Sequence, residues 1–440
     1  MSGNPRVLLI SANREPFPEA VFPIGAVYVA NALQKAGCGV RIFDVRHHSG
    51  PASLRQEILN FGADRIGISL RNIDNAAYPA TRFYLPFYAE LVKSIRAACD
   101  TPVILGGSAF SLYPDELLDH LAADGGIRGA GEGAAAAFQE LSGGRIASAD
   151  LPDMKSVAFP GNIRDIFPGF LRYRTIGVQT SRGCPNNCIY CTYPSLEGGR
   201  RMTRDAEGVA EEMTMLHRDF GIRNFFIVDS LFNANEDHMI RVLEGLRRRN
   251  LPIRFSCYMQ PRISDPGICR LLSEAGCVGV DFGTDSGASS VLTSFRKPFT
   301  REDIRAASLA CRKARIDVCH SLIFGGPGET ARTIDETVRL MDELSPKAVI
   351  AMTGVRVYPG TGLEQIAVRE GVVRAGRSLL EPQFYFSALG AGQLLKIVYG
   401  AVGRRRNWFF PGSKDWSATI EYRILHFFHR KGPLWRTFKQ

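Results

Sequence analysis

Residues 180–191 read TSRGCPNNCIYC and set Cys184, Cys188 and Cys191 in a C-x3-C-x2-C triplet, directly after an apolar strand candidate at 175–178. No comparably spaced fourth cysteine follows. Thiolates at this spacing can hold an iron-sulfur cluster, whose [4Fe-4S] form normally takes four cysteines, so one iron would be open to another molecule. A structural zinc would need a fourth ligand from afar, such as His217 or Cys257, and neither belongs to a C-x2-C or H-x3-H pair. A disulfide fits poorly. The chain opens MSGNPRVLLI without a charged-then-apolar leader, and its ten cysteines are mostly scattered through expected strands and helices, as in a reducing, cytoplasmic setting.

Outward from the triplet, apolar runs and helical patterns alternate. RNFFIVD (223–229), IRFSCYM (253–259), CVGVDFG (277–283), VCHSLIFG (318–325) and AVIAMTGVRV (348–357) read as strands, separated by helices at 204–219, 235–248, 266–275, 300–314 and 330–344. With 175–178 they make six strand-helix units, a partial (β/α)6 barrel whose reactive groups belong at the carboxyl ends of its strands.

Upstream, the same alternation runs through residues 1–141, with strands at 6–11, 40–45, 65–70, 102–107 and 126–128. This pattern predicts an α/β domain with a doubly wound, flavodoxin-like parallel sheet that binds ligands at its carboxyl edge. Ser11, Ser69, Arg71, Gly106, Gly107, Gly131 and Glu132 fall at that edge. Taken alone the GG and GAGEG stretches are weak signals, because glycine after a strand is most often a turn. Residues 142–170 lose periodicity and gain glycine and proline, which reads as a linker before a barrel at 171–363 and a basic, aromatic, mostly helical extension at 364–440.

The length of 440 residues and 45% hydrophobic content suit roughly two to three folded domains. The net charge of +10 gathers partly in the tail, where RRRNWFFPG and ILHFFHRKGPLW set arginines beside aromatics. The tail reads as a cap whose apolar face covers the barrel, or as such a cap with a membrane-facing side. No apolar run spans a bilayer, and no recognisable nucleic-acid module accompanies the charge.

Two stretches of motif carry a resemblance. PIGAVYVANALQKAG, VILGGSAFSLYPDELL and GIRGAGEGAAAAFQEL resemble the cobalamin-binding domain that precedes many radical S-adenosylmethionine (SAM) enzymes. The triplet with Tyr190, VDFGTDSG (280–287), SLIFGGPGET (321–330) and VYPGTGL (357–363) is similar in order and spacing to the radical SAM superfamily. The resemblance implies that Cys184, Cys188 and Cys191 hold a [4Fe-4S] cluster whose open iron chelates SAM, and that Tyr190, Asp229, Asp285, Ser286 and Gly325 adjoin SAM. Two departures stand out: Asp285-Ser286 where the family more often has Glu-Ser, and DSLFN (229–233) in place of a glycine-glycine-glutamate motif. Arg262 reads equally as a carboxylate holder or a solvated residue. The D-x-H-x-x-G cobalt-ligand motif is also absent. His47 and His48 read as solvated loop residues, and Arg71 or Asn72 is the candidate beneath the corrin.

The implied activity is C-methylation. SAM is cleaved to a 5'-deoxyadenosyl radical that takes hydrogen from an unactivated carbon, and cobalamin delivers the methyl group. The whole-chain pattern looks similar to cobalamin-type radical SAM proteins associated with lipid biosynthesis, which suggests a lipid-like or natural-product substrate. A reducing partner such as a flavodoxin or ferredoxin and peripheral membrane contact through the tail are expected. Ring formation or rearrangement without methyl transfer, and a noncatalytic cobalamin or redox sensor, are the alternatives.

Overall fold

The computed structural model describes residues 4–15, 20–48, 50–135, 138, 145–411 and 434–437, and two compact units meet in sequence at Tyr173 and Arg174. In the first unit, β1 (Arg6–Ser11), β2 (Gly39–Asp44), β3 (Arg65–Ser69), β4 (Val103–Gly106), β5 (Gly125–Gly129) and β6 (Arg145–Ala149) form one sheet in the order β2-β1-β3-β4-β5-β6. Every neighbouring pair is parallel. Val7, Leu8 and Ile10 are wholly buried, as parallel strands covered on both faces require. The order reverses between β1 and β3, the topological switch point of a flavodoxin-like sheet.

The stretch expected as a linker does more than connect. Its β6 pairs with β5, and Phe159 and Phe167 pack around Phe22 together with Tyr173. The sequence RIASA hides this strand because small residues replace the usual apolar run.

In the second unit, β7 (Ile176–Val178) precedes a short antiparallel pair, β8 (Ser181–Arg182) with β9 (Met202–Thr203). There follow β10 (Asn224–Ile227), β11 (Arg254–Met259), β12 (Cys277–Asp285), β13 (Asp317–Phe324) and β14 (Ala348–Thr353). A second small pair, β15 (Val355–Arg356) with β16 (Phe384–Tyr385), leads to β17 (Trp408–Phe409). The main sheet runs β17-β14-β13-β12-β11-β10-β7, so the expected six-stranded partial barrel gains a seventh strand from the C-terminal extension.

Helices Ala206–Phe220, Glu236–Arg249, Gly267–Glu274, Arg301–Lys313 and Ala331–Leu344 lie between the strands. Thr300 and Thr330 each close a capping box, which fixes where the last two begin. Leu322, Phe324, Val349 and Ala351 turn one way and pack with Ile334, Val338 and Leu340 of Ala331–Leu344. Leu394, Val398 and Val402 of helix Gly390–Val402 join that layer, so this helix of the extension covers the outer face of the barrel. Most of the basic tail beyond Gly412 lies outside the described residues.

Candidate functional site

Asp229 anchors the entry to the cysteine loop. It has no solvent exposure, and it accepts from Thr180 N at 2.7 Å, Thr180 Oγ1 at 2.6 Å, Ser181 N at 3.1 Å and Ser181 Oγ. Arg201 Nη2 lies 3.5 Å away, and Arg201 also donates to the carbonyls of Gly183 and Leu231 and to Ser230 Oγ. Gly183, just before the first cysteine, has φ of +87°, and a Cβ there would meet the Arg200 carbonyl oxygen at 2.1 Å. Only glycine fits that crossing.

The loop is then pinned through its backbone. Cys184 N donates to Gly198 O at 3.1 Å, Ile189 N to Phe295 O at 3.3 Å, and Leu363 N to Ile189 O at 2.7 Å. Cys184 is buried and Cys188 and Cys191 are half-buried, with all three thiols free. Burial pushes the Cys188 thiol up and the Cys191 thiol to about 12, so metal binding there must displace protons. Among the described residues no three Cys, His, Asp or Glu side chains converge as a single-ion site requires. His217 Nδ1 bonds the Ile222 carbonyl and Cys257 is wholly buried on β11, and among the described residues neither belongs to a group of three metal-ligating side chains. Three free thiols on one rigid loop suit a cluster that takes one thiolate on each of three irons.

Beside the loop lies a charge pair that sequence reading missed. Lys297 Nζ is 2.8 Å from Asp285 Oδ2 and 3.4 Å from the Tyr190 hydroxyl, and Tyr190 donates to the same carboxylate. Burial pulls the Lys297 ammonium down, but Asp285 and Cys188 outweigh it and hold it above its ordinary value. Asp285 takes φ of +61° at a register shift in β12, which aims its carboxylate at Tyr190 rather than along the strand. Lys297 had no signature in SFRKPFT, because its importance lies in where Asp285 bends to meet it.

The residues expected near SAM divide accordingly. Tyr190 and Asp285 converge with the cysteine loop. The polar groups of the other three are occupied within the chain: Asp229 as above, Ser286 Oγ with Thr337 Oγ1 at 3.1 Å and Ala288 N at 3.1 Å, and Gly325 N with Glu329 at 3.3 Å. Arg262 is exposed, and its carbonyl accepts from Asn233.

In the first unit, Ser11, Ser69 and Gly106 end adjacent strands, with Gly107 and Arg71 just beyond and Gly131 and Glu132 after β5. Gly107 has φ of +94°, and its turn lets Ala109 N reach Leu70 O at 2.9 Å. Arg71 is exposed, and its carbonyl is held by Ser108 Oγ at 2.7 Å. His48 is exposed and stacks on Phe43, as a loop residue would. His47 departs from the expectation of solvation: it is half-buried, edge-on to Tyr173, with Nε2 3.7 Å from Asp44. Serines, glycines and the exposed Arg71 thus gather at the carboxyl edge of this sheet.

Residues 178–341 match the Radical SAM superfamily, and residues 11–139 match the B12 binding domain. The chain therefore carries a B12-binding domain followed by a radical SAM domain. The chain is 25% identical to tryptophan 2-C-methyltransferase of Streptomyces laurentii, over 85% of this chain and 76% of that protein. It is 25% identical to hopanoid C-3 methylase of Methylococcus capsulatus, over 62% of this chain and 55% of that protein. In fold it is similar to the radical SAM methyltransferase TsrM of Kitasatospora setae, solved with cobalamin and a [4Fe-4S] cluster, with a TM-score of 0.84 and 21% identity over 98% of this chain and 96% of that one.

Proposed function

We propose that this protein is a cobalamin-dependent radical SAM methyltransferase acting on carbon. The observation that carries the reading is the rigid three-cysteine loop closed against Tyr190, Asp285 and Lys297. Cys184, Cys188 and Cys191 would hold the [4Fe-4S] cluster, and the carboxyl edge of the first sheet, with Arg71 or Asn72, would hold cobalamin. When bound, the cluster supplies the electron that cleaves SAM for hydrogen abstraction, and cobalamin supplies the methyl group.

The chain's own residues prepare the site. Asp229 and Arg201 fix the loop, so the thiols are preorganised rather than gathered on binding. The Tyr190 ring is held edge-on to Phe295, and its hydroxyl is tied to Asp285, which gives SAM a fixed flat wall. Lys297 places a positive charge beside the thiolates and within reach of a carboxylate. Relatives named for the C-methylation of tryptophan and of a hopanoid support methyl transfer to carbon and a small-molecule substrate. A lipid-like substrate, a flavodoxin or ferredoxin donor, a cytoplasmic location and membrane contact through the tail belong to the same proposal. Among the described residues no helix is long and apolar enough to cross a membrane.

The test is anaerobic incubation of the cluster-loaded protein with cobalamin, reductant and methyl-labelled SAM. Label on cobalamin together with 5'-deoxyadenosine supports the reading. Intact SAM and unlabelled cobalamin refute it.

A further inference from the structure

Among the described residues, the main sheet of the second unit has one fully packed face and one less covered face. On β13 and β14, Leu322, Phe324, Val349 and Ala351 point into the helical layer, while Ser321, Ile323, Ile350 and Met352 on the opposite face are only half-buried. The register carries that concave face across the sheet. Ser321 pairs with Gly283, Cys319 with Asp281, Asp281 with Tyr258, and Gly279 with Ser256. A Cβ built on Gly283 would meet no atom within 4 Å, so the space above the middle of β12 is open. Below it, Trp435 closes the bottom, packing with Cys319 and Ala348 and against Gly279.

Asp281 stands at this floor. It is 6% exposed, and Ser321 Oγ donates to its Oδ1 at 2.8 Å. Burial raises its carboxyl to about 7. Ser256 shares the face one strand over, is 1% exposed, and its hydroxyl lacks a partner among the described residues. Buried polar groups are ordinarily satisfied, and those that are not call for an explanation. The walls are apolar: Phe226 meets Tyr258 edge-on at 4.9 Å, opposite Ile323, Ile350 and Met352. Tyr258 is 41% exposed on β11.

We propose that Asp281, with Ser321 and Ser256, is the anchor for the amino group of a small amine substrate whose apolar or aromatic body lies along Tyr258, Ile323 and Met352. The inference rests on the proposed function, because that reading puts SAM at the top of the same strands. Across the register shift, Asp281 and Asp285 pair with Cys319 and Leu322, three residues apart on β13 and so roughly 10 Å, which leaves room for a small molecule. An ammonium paired with Asp281 restores the charge balance that burial of a lone carboxylate lacks. The apolar walls alone would suit a hydrocarbon lipid, but a buried acid at the floor disfavours one.

The test uses the cluster-loaded, cobalamin-supplemented full chain and two probes of matched shape, 2-phenylethylamine and 3-phenylpropanoate, measured by calorimetry. The amine is expected to bind at least about tenfold more tightly than the carboxylate, and Asp281→Asn, which keeps the bond from Ser321, is expected to remove that preference. Binding of SAM, measured on the same samples, should be unchanged in the variant. A wild-type protein that ignores both probes, or an Asp281→Asn variant that still prefers the amine, overturns the anchor. Amine preference in a protein that fails to bind SAM would leave the anchor standing and sink the enzymatic reading.

Discussion

Replacing Asp229 with Ala tests whether the cysteine loop is prepared before any metal arrives. The substitution strips one carboxylate from four buried donors on Thr180 and Ser181 and from Arg201, whose side chain is 8% exposed. Removing one partner of a buried ion pair costs about 3–5 kcal/mol, since the other charge is left without compensation. For a domain of this size that corresponds to a fall in melting temperature of roughly 6–20 °C, at about 2–4 °C per kcal/mol. Asp229→Asn keeps Oδ1 facing the two backbone N–H groups but replaces Oδ2, which accepts from both hydroxyls and faces Arg201, with a donor, so its effect should be smaller than that of full removal. Thermal unfolding followed by circular dichroism reads the first quantity, and iron and sulfide per chain after anaerobic reconstitution read the second. Both variants should lose cluster in the order of their destabilisation. An Asp229→Ala protein with wild-type melting and full cluster would refute the claim that this carboxylate holds the loop.

Gly325→Ala should cost about 1–3 kcal/mol, because φ there is +100° and the new Cβ would lie 2.6 Å from Leu394 Cδ2; pairing it with Leu394→Ala should leave the backbone strain in place, as chemical denaturation can show. Burial raises the Glu329 carboxyl to about 7. Below the ordinary carboxyl range both folded and unfolded states hold the proton, and between there and pH 7 only the folded state keeps it, so rising pH should remove up to about 3 kcal/mol of stability through this group. Glu329→Gln should flatten that slope between pH 5 and pH 8 in urea titrations, and an unchanged slope would contradict the assignment. Corrin should copurify with His47→Ala and His48→Ala proteins as with wild type, and its loss from either would restore a histidine-ligated cobalt.

Both sheets were readable because their strands are buried runs such as VLLI and VILG, and the sequence separation between runs leaves room for a helix. The strands that escaped have no such run. RIASA pairs through its backbone with small side chains, and β17 is only Trp408 and Phe409. Cys184, Cys188 and Cys191 were legible because their chemistry depends on spacing alone. Asp229 was legible as important but not in its place, since its partners Thr180 and Ser181 lie 49 and 48 residues away. Lys297 and Asp281 were invisible for related reasons. One depends on a bent strand end at Asp285, and the other on which face of β12 an alternate residue occupies.

The most direct test of the central claim is SAM binding to anaerobically reconstituted protein, followed by the change it causes in the electron paramagnetic resonance of the reduced cluster. Wild-type protein should carry about four irons per chain and shift its signal when SAM is added, whereas Cys184→Ala, Cys188→Ala and Cys191→Ala should each lose both the signal and the shift. A cluster that ignores SAM, or one that survives intact in any of the three variants, would contradict an open iron held by these cysteines.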